Sequence, residues 1–228
     1  QSVLRGVDLS VEPGEFVSLI GHSGCGKSTL LRALGGLLKL DAGSIRLMGR
    51  DIAGLAAYRI ARLGLARTFQ LVRVLDGMDC RENIRSGLAF QKPHLAATEA
   101  EARIDMLLAR VGLGGQDQRP AADLTYIDRK RLELARALAA KPRLLLLDEW
   151  LAGLNPSELM IGIELIRSLK ADGITIVLVE HVMNAVRALC DRCVVMSSGR
   201  KIAEGATADV LNDAAVVKAY LGGVAADA

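Results

Sequence analysis

One short stretch, Gly21–Thr29 (G-H-S-G-C-G-K-S-T), constrains this chain more than any other. It fits the phosphate-binding pattern G-x-x-x-x-G-K-[ST] without a gap. The apolar run Phe16–Ile20 before it reads as a buried strand, and Leu30–Leu34 after it reads as a helix. A Gly-rich turn that merely contained Lys-Ser would not need both flanks. Gly21, Gly24 and Gly26 let the backbone curl so that successive N–H groups, including those of His22, Ser23 and Cys25, face a chain of phosphates. The helix N-terminus at Ser28 and Thr29 adds its partial positive charge. Lys27 places an ammonium on the outer phosphates, and the Ser28 hydroxyl is the expected magnesium ligand. The motif therefore predicts a site for a nucleoside triphosphate and Mg2+.

A length of 228 residues suits one large α/β domain, or a core with a smaller lobe. Hydrophobic content of 51% with only 3% aromatics predicts a Leu/Val/Ile/Ala core, as in parallel sheets covered by helices. A net charge of +3 without a Lys/Arg block argues against a nucleic-acid partner. No apolar run reaches the length of a membrane span, and no signal peptide is visible, although the chain starts at Gln1 and an N-terminal segment is expected to be missing. Of the cysteines, Cys190 and Cys193 form a lone C-x-x-C with no second half for zinc. Buried, reduced thiols are expected there, in keeping with a cytoplasmic chain.

Residues 3–11 alternate loosely and end at Pro13-Gly14, which predicts a strand and a turn. A short strand through Ile45 and Leu47, a helix over 55–63 and a strand Leu65–Phe69 delivering Gln70 follow. Residues 78–140 are polar, Ala-rich and helical, with Ile104, Leu107, Leu108 and Val111 at the 3.6-residue period. Residues 70–140 are thus expected to be a helical lobe inserted into an α/β core made of 1–69 and 141–228. Strands over 143–147, 174–179 and 194–196 alternate with helices, and small helices are expected at 207–221.

The run Leu144–Leu147 followed by Asp148 and Glu149 places two acids at the end of a buried strand, where ligands bind in such sheets. Asp148 is expected to hold the metal directly or through a water. Glu149, one residue on, addresses a water and suits a general base. Gln70 and His181 each follow a strand in the same way; Gln70 is expected on a magnesium-bound water. A lone histidine is more often structural, but the strand-end position of His181 favours a functional reading.

In this order the motifs resemble the ATPase subunits of ABC transporters, across essentially the whole chain. Lys27 matches the Walker A lysine, Gln70 the Q-loop glutamine, Asp148 and Glu149 the Walker B pair, and His181 the switch histidine. Ala152–Asn155 matches the D-loop, and Leu124–Asp128 (L-T-Y-I-D) stands where the family has its L-S-G-G-Q signature. The phrases at 60–70, 152–156, 199–205 and 219–222 are similar to ATPases of branched-chain amino acid importers. The phosphate loop, with His22, Ser23 and Cys25, is more like that of nitrate- or sulfonate-type importers.

The resemblance implies a P-loop NTPase fold: a mostly parallel sheet with flanking helices, an antiparallel β part and an inserted helical lobe. It implies an ATP-hydrolysing transport motor at the cytoplasmic face of the membrane. Two ATPase subunits, identical or different, would sandwich ATP, with Thr125 of one chain's signature completing the other's site. The lobe would dock on integral membrane permease subunits, with a solute-binding protein as an indirect partner. Three departures stand out. The adenine-stacking aromatic that the resemblance implies is expected before the start of this chain. Trp150 replaces the usual proline. Tyr126 and Ile127 replace the signature glycines, and Asp128 the glutamine. Ile127 is expected to disfavour the positive φ open to glycine and to crowd the phosphate. Asp128 is expected to repel an anion unless it caps the following helix. A catalytically degenerate, nucleotide-sensing subunit is the alternative that these changes leave open.

Overall fold

The computed structural model describes residues 3–91 and 93–217. Strand β1 (Phe16–Ile20) leads through the glycine-rich loop into helix α1 (Lys27–Leu34). A small hairpin, β2 (Arg46–Leu47) and β3 (Arg50–Asp51), precedes α2 (Ala57–Arg62) and β4 (Leu65–Arg67). Helices α3 (Cys80–Leu88), α4 (Ala97–Arg110) and α5 (Tyr126–Ala139) occupy the middle. Then come β5 (Leu144–Asp148), α6 (Pro156–Ala171), β6 (Thr175–Val179), α7 (Met183–Leu189), β7 (Arg192–Ser197) and β8 (Arg200–Ala206). Short helices α8 (Thr207–Asn212) and α9 (Ala214–Val216) follow; residues 218–221 of the expected C-terminal helices lie outside the described residues.

The main sheet runs β4-β5-β6-β1-β7-β8. Strands β4 to β7 are mutually parallel, and β8 closes the edge antiparallel to β7. Because side chains alternate across a strand, each central strand feeds two cores. Phe16 and Ile20, Leu145 and Leu147, Ile176 and Leu178 face one side, where they meet α3 to α8 through Ile84, Leu107, Leu132, Ile166, Val186 and Val210. Val17 and Leu19, Leu146, Val177 and Val179 face the other, against Leu31 of α1, Ile60 of α2, and Leu47 and Ile52 beside the hairpin. With both faces covered, the strand ends are the part of the sheet left for a ligand.

Local chemistry sets the helix starts. The Asp79 carboxylate accepts the Glu82 N–H at 2.7 Å while Glu82 accepts the Asp79 N–H at 3.1 Å, a capping box that starts α3. Asn155 caps α6 by accepting the Glu158 N–H at 2.9 Å, with Pro156 at the first helical position.

The strand expected at residues 3–11 does not form. Its alternation is real, since Leu9 and Val11 pack against the second core, but the segment finds no ladder partner among the described residues. One backbone bond, Arg5 N–H to the Gly199 carbonyl at 2.8 Å, holds it beside the β7–β8 turn. The cysteines behave as expected: Cys25, Cys80, Cys190 and Cys193 are all buried and free. Burial pushes the Cys190 thiol up to about 12, so it stays protonated and inert.

Helices α3 and α5 meet backbone to backbone at Gly87, where a Cβ would lie 2.3 Å from the Arg136 carbonyl oxygen and 3.0 Å from the Ala139 Cβ. Gly87→Val is expected to lower folding stability by about 2 kcal/mol or more, read from urea unfolding, because α3 must move away from α5.

Candidate nucleotide site

The loop between β1 and α1 turns on glycines with positive φ: 151° at Gly21, 76° at Gly24 and 108° at Gly26, which also stands at the N-terminus of α1. At Gly21 a Cβ would meet the Met196 carbonyl oxygen at 2.2 Å and Cys25 Sγ at 2.6 Å, so no other residue fits. His22, Ser23 and Gly24 are exposed, whereas Cys25 and Gly26 are buried under the turn. Cys25 is fixed by its own N–H to the His22 carbonyl (3.2 Å) and by the Gly199 N–H to its carbonyl (2.9 Å). The Lys27 ammonium arches over the loop, donating to the carbonyls of Gly21 (2.5 Å) and His22 (2.9 Å). Ser28 is exposed and Thr29 half-buried on the first turn of α1. The loop is a cradle of backbone N–H groups at a helix start with one mobile-length cation above it, a donor set made for phosphate oxygens.

The acids sit on the same edge. Asp148 ends β5, in register with Val179 of β6. It is 2% exposed; Oδ2 accepts from Arg67 at 2.8 Å, while Oδ1 is buried and has no hydrogen-bond partner. Burial raises its carboxyl above the usual range, against the opposing pull of Arg67 and Lys27. No cluster of three acidic, His or Cys ligands exists among the described residues. A single carboxylate with an orphan oxygen, plus the Ser28 hydroxyl, therefore matches a cation that takes its other ligands from phosphates and water, as Mg2+ does.

Glu149 follows with φ of 50°, a conformation uncommon outside glycine. Its N–H donates to the Val179 carbonyl at 2.8 Å, and its Oε2 accepts from Gln70 Nε2 at 2.9 Å. The structure thus joins Gln70 and Glu149, residues far apart in sequence. His181 lies exposed two residues past Val179, on the same rim. Thr125 is not joined to the phosphate loop by any hydrogen bond among the described residues. It caps α5 instead: Oγ1 accepts the Asp128 N–H at 3.3 Å and donates to Asp128 Oδ2 at 2.8 Å.

Two expectations for the signature segment need correction. Tyr126 and Ile127 form the first turn of α5 and have ordinary helical φ, so the β-branched Ile127 carries no backbone strain. The Asp128 charge, moreover, is paired with Arg131 at 3.1 Å as well as taking the Thr125 hydroxyl, so it is offset locally. The bulk of the Tyr126 and Ile127 side chains remains as the difference from glycine.

Several supporting residues were not visible in the sequence. Arg67, on β4, reaches Asp148 across the sheet. Glu133 of α5 accepts the N–H groups of Arg73 (2.8 Å) and Phe69 (3.4 Å), fixing the loop that carries Gln70. Lys130 and Trp150 bond reciprocally beneath Glu149. Glu180 accepts the Leu151 N–H at 2.7 Å. The one available signal was a charged residue at an otherwise apolar helical or strand position, as with Arg67 and Glu133.

A sequence profile of the ABC transporter family matches residues 4–152, and one for branched-chain amino acid ATP-binding cassette transporters matches residues 200–226. The chain is 38% identical over 233 residues to the high-affinity branched-chain amino acid transport ATP-binding protein LivG of Escherichia coli K12, covering 96% of this chain and 91% of LivG. It is also 38% identical over 234 residues to BraF of Pseudomonas aeruginosa, the corresponding ATP-binding protein, with the same coverage. The fold superposes with a TM-score of 0.84 on the ADP conformation of MJ1267, an ATP-binding cassette of an ABC transporter, at 31% identity over 96% of this chain and 92% of that one.

Two outcomes follow from this geometry. Lys27→Ala is expected to weaken Mg-ATP binding by at least about tenfold in calorimetry, the cost of a lost charge-assisted bond. The second concerns pH. Burial pushes Glu180 up to about 7 from 4.5, so the folded state favours its protonated form. Its contribution to stability is complete below pH 4.5 and is lost as the pH rises through about 7. Urea titrations should show stability falling by about 3 kcal/mol over that window, less in Glu180→Gln.

Proposed function

Because the chain belongs to the ABC transporter family of ATP-binding subunits, we propose that it drives import of branched-chain amino acids or a similar small polar solute. Hydrolysis of ATP is the family's chemistry; the solute is our reading. The observation that supports the motor role is the meeting of Gln70 and Glu149 at 2.9 Å on the rim that also carries the phosphate loop. For the solute, support comes from the match at residues 200–226 and the likeness to LivG.

In this reading the N–H groups of residues 24–29 and the Lys27 ammonium bind the phosphates of ATP. Ser28 and the orphan Asp148 Oδ1 hold Mg2+, with Arg67 keeping the carboxylate in place. The cation, when bound, offsets charge on the phosphate oxygens. Glu149 accepts the proton of the attacking water, and Gln70 and His181 orient that water. Thr125 and the first turn of α5 face the nucleotide of a second ATPase subunit. Binding across such a pair favours its closed form, and hydrolysis releases it.

Docking on membrane subunits is assigned to the region 70–140. A cavity of about 480 Å³ between α2, the Gln70 loop and α3 is lined by Leu37, Phe69, Val74, Leu75 and Phe90. Exposed Leu71 and Met78 extend the apolar surface beside it. No helix among the described residues is long and apolar enough to cross a membrane, so the permease subunits supply that part, with this chain at the cytoplasmic face.

The test is ATP hydrolysis by the complex in proteoliposomes with its permease subunits and binding protein. Leucine is expected to stimulate turnover. Glu149→Gln is expected to keep Mg-ATP binding and lose turnover by about a hundredfold or more. Wild-type turnover in Glu149→Gln overturns the base assignment; stimulation by a different solute class and not by leucine overturns the substrate.

A further inference from the structure

We propose that Lys130 is a positioning residue for hydrolysis, fastening the first turns of α5 to the turn that carries Glu149; this rests on Glu149 acting as the base. Lys130 is 1% exposed, although it sits in a run of charges, Arg129–Arg131, that on a helix usually faces water. Its ammonium donates to the carbonyls of Ala152 (2.6 Å), Trp150 (2.9 Å) and Glu149 (3.4 Å). An ammonium has three N–H donors, and here all point into one turn. The bond is returned, because Trp150 Nε1 donates to the Lys130 carbonyl at 3.1 Å. The ring of Tyr126, one helical turn back on α5, covers the ammonium at 4.9 Å from its centroid. Glu180, just past β6, takes the Leu151 N–H at 2.7 Å. The turn 149–152 is thus tied both to α5 and to the end of β6.

Stability alone does not account for this lysine. Burying an ammonium is costly, and an apolar side chain of similar volume does as well or better in most interiors. What the ammonium provides is a set of fixed carbonyl positions. That matters at Glu149, whose φ of 50° persists only where the surroundings impose it. Burial lowers the Lys130 pKa, and the neighbouring Glu180, Glu133 and Glu149 carboxylates oppose that shift. The consequence is directional. Any shift of the start of α5, which follows the capping Thr125, is passed by the Lys130 side chain to the carbonyls of Glu149 and of the residues just after it.

ATP hydrolysis by the complex with its membrane subunits tests this, using Lys130→Met, which keeps volume and removes the donors. The expected result is a fall in kcat of about a hundredfold with KM for Mg-ATP within about threefold, since only the geometry of the base is disturbed. A folded Lys130→Met variant with wild-type kcat overturns the proposal. So does a loss that appears as raised KM with unchanged kcat. Glu149→Gln is measured in parallel. If it is inactive while Lys130→Met is fully active, the clamp alone is wrong; if it is active, the base assignment is wrong. Should Lys130→Met fail to fold, Trp150→Phe removes only the returning indole bond. It is expected to lower kcat about fivefold or more at unchanged KM, and wild-type kcat in that variant overturns the clamp equally.

Discussion

The parallel hydrogen bonding of β4, β5, β6, β1 and β7 is the interaction on which everything else here depends. Parallel pairing forces each connection to cross over the sheet, and the crossings cover both faces with helices. The loops that leave the C-terminal strand ends are then collected on one rim. β1 delivers the phosphate loop, β4 the Gln70 loop, β5 the two acids and β6 His181. Their convergence is a property of the sheet order and not of any attraction among these side chains. Mutual alignment of Asp148 with Val179, one ladder step, sets the distance between the acids and the next rim loop.

A second layer sits under that rim and is made of charges removed from water. Asp148 is tied to Arg67, Glu133 to the backbone of the Gln70 loop, Lys130 to the carbonyls below Glu149, and Glu180 to Leu151. Each is 2% exposed or less apart from Arg67. Buried polar groups of this kind cost stability unless every bond is made, and here two carboxylate oxygens, on Asp148 and Glu180, lack partners. Both carboxylates lie at the strand ends that form the candidate nucleotide site. Elsewhere the core is built of Leu, Ile, Val and Ala in ordinary packing.

What could be read from the sequence was whatever is local. The phosphate loop, the apolar strands and the residues that follow them, Gln70, Asp148, Glu149 and His181, are all visible because chain neighbours define them. Residues 3–11 show the limit of that approach: their alternation records a packed face but says nothing of a missing ladder partner. Ile127 shows another. Substitution at a glycine position suggested strain, whereas the capped helix gives that residue an ordinary conformation. Arg67, Glu133 and Lys130 were illegible for a different reason. Their partners lie across the fold, at separations of 81, 60 and 20 residues for the bonds Arg67–Asp148, Arg73–Glu133 and Lys130–Trp150. A charge that looks solvated in a helical pattern is buried only because another segment arrives to meet it.

Trp150 is the only tryptophan in the chain, and its indole is 1% exposed with its N–H held by the Lys130 carbonyl. Indole emission responds to the polarity and hydrogen bonding of its surroundings. The turn after Glu149 therefore carries its own optical label, with no second tryptophan in this chain to dilute the signal. Tyrosine emission from Tyr58, Tyr126 and Tyr220 can be avoided by exciting at the red edge of the absorption band. Any change at this turn on adding nucleotide would be read in the unmodified polypeptide.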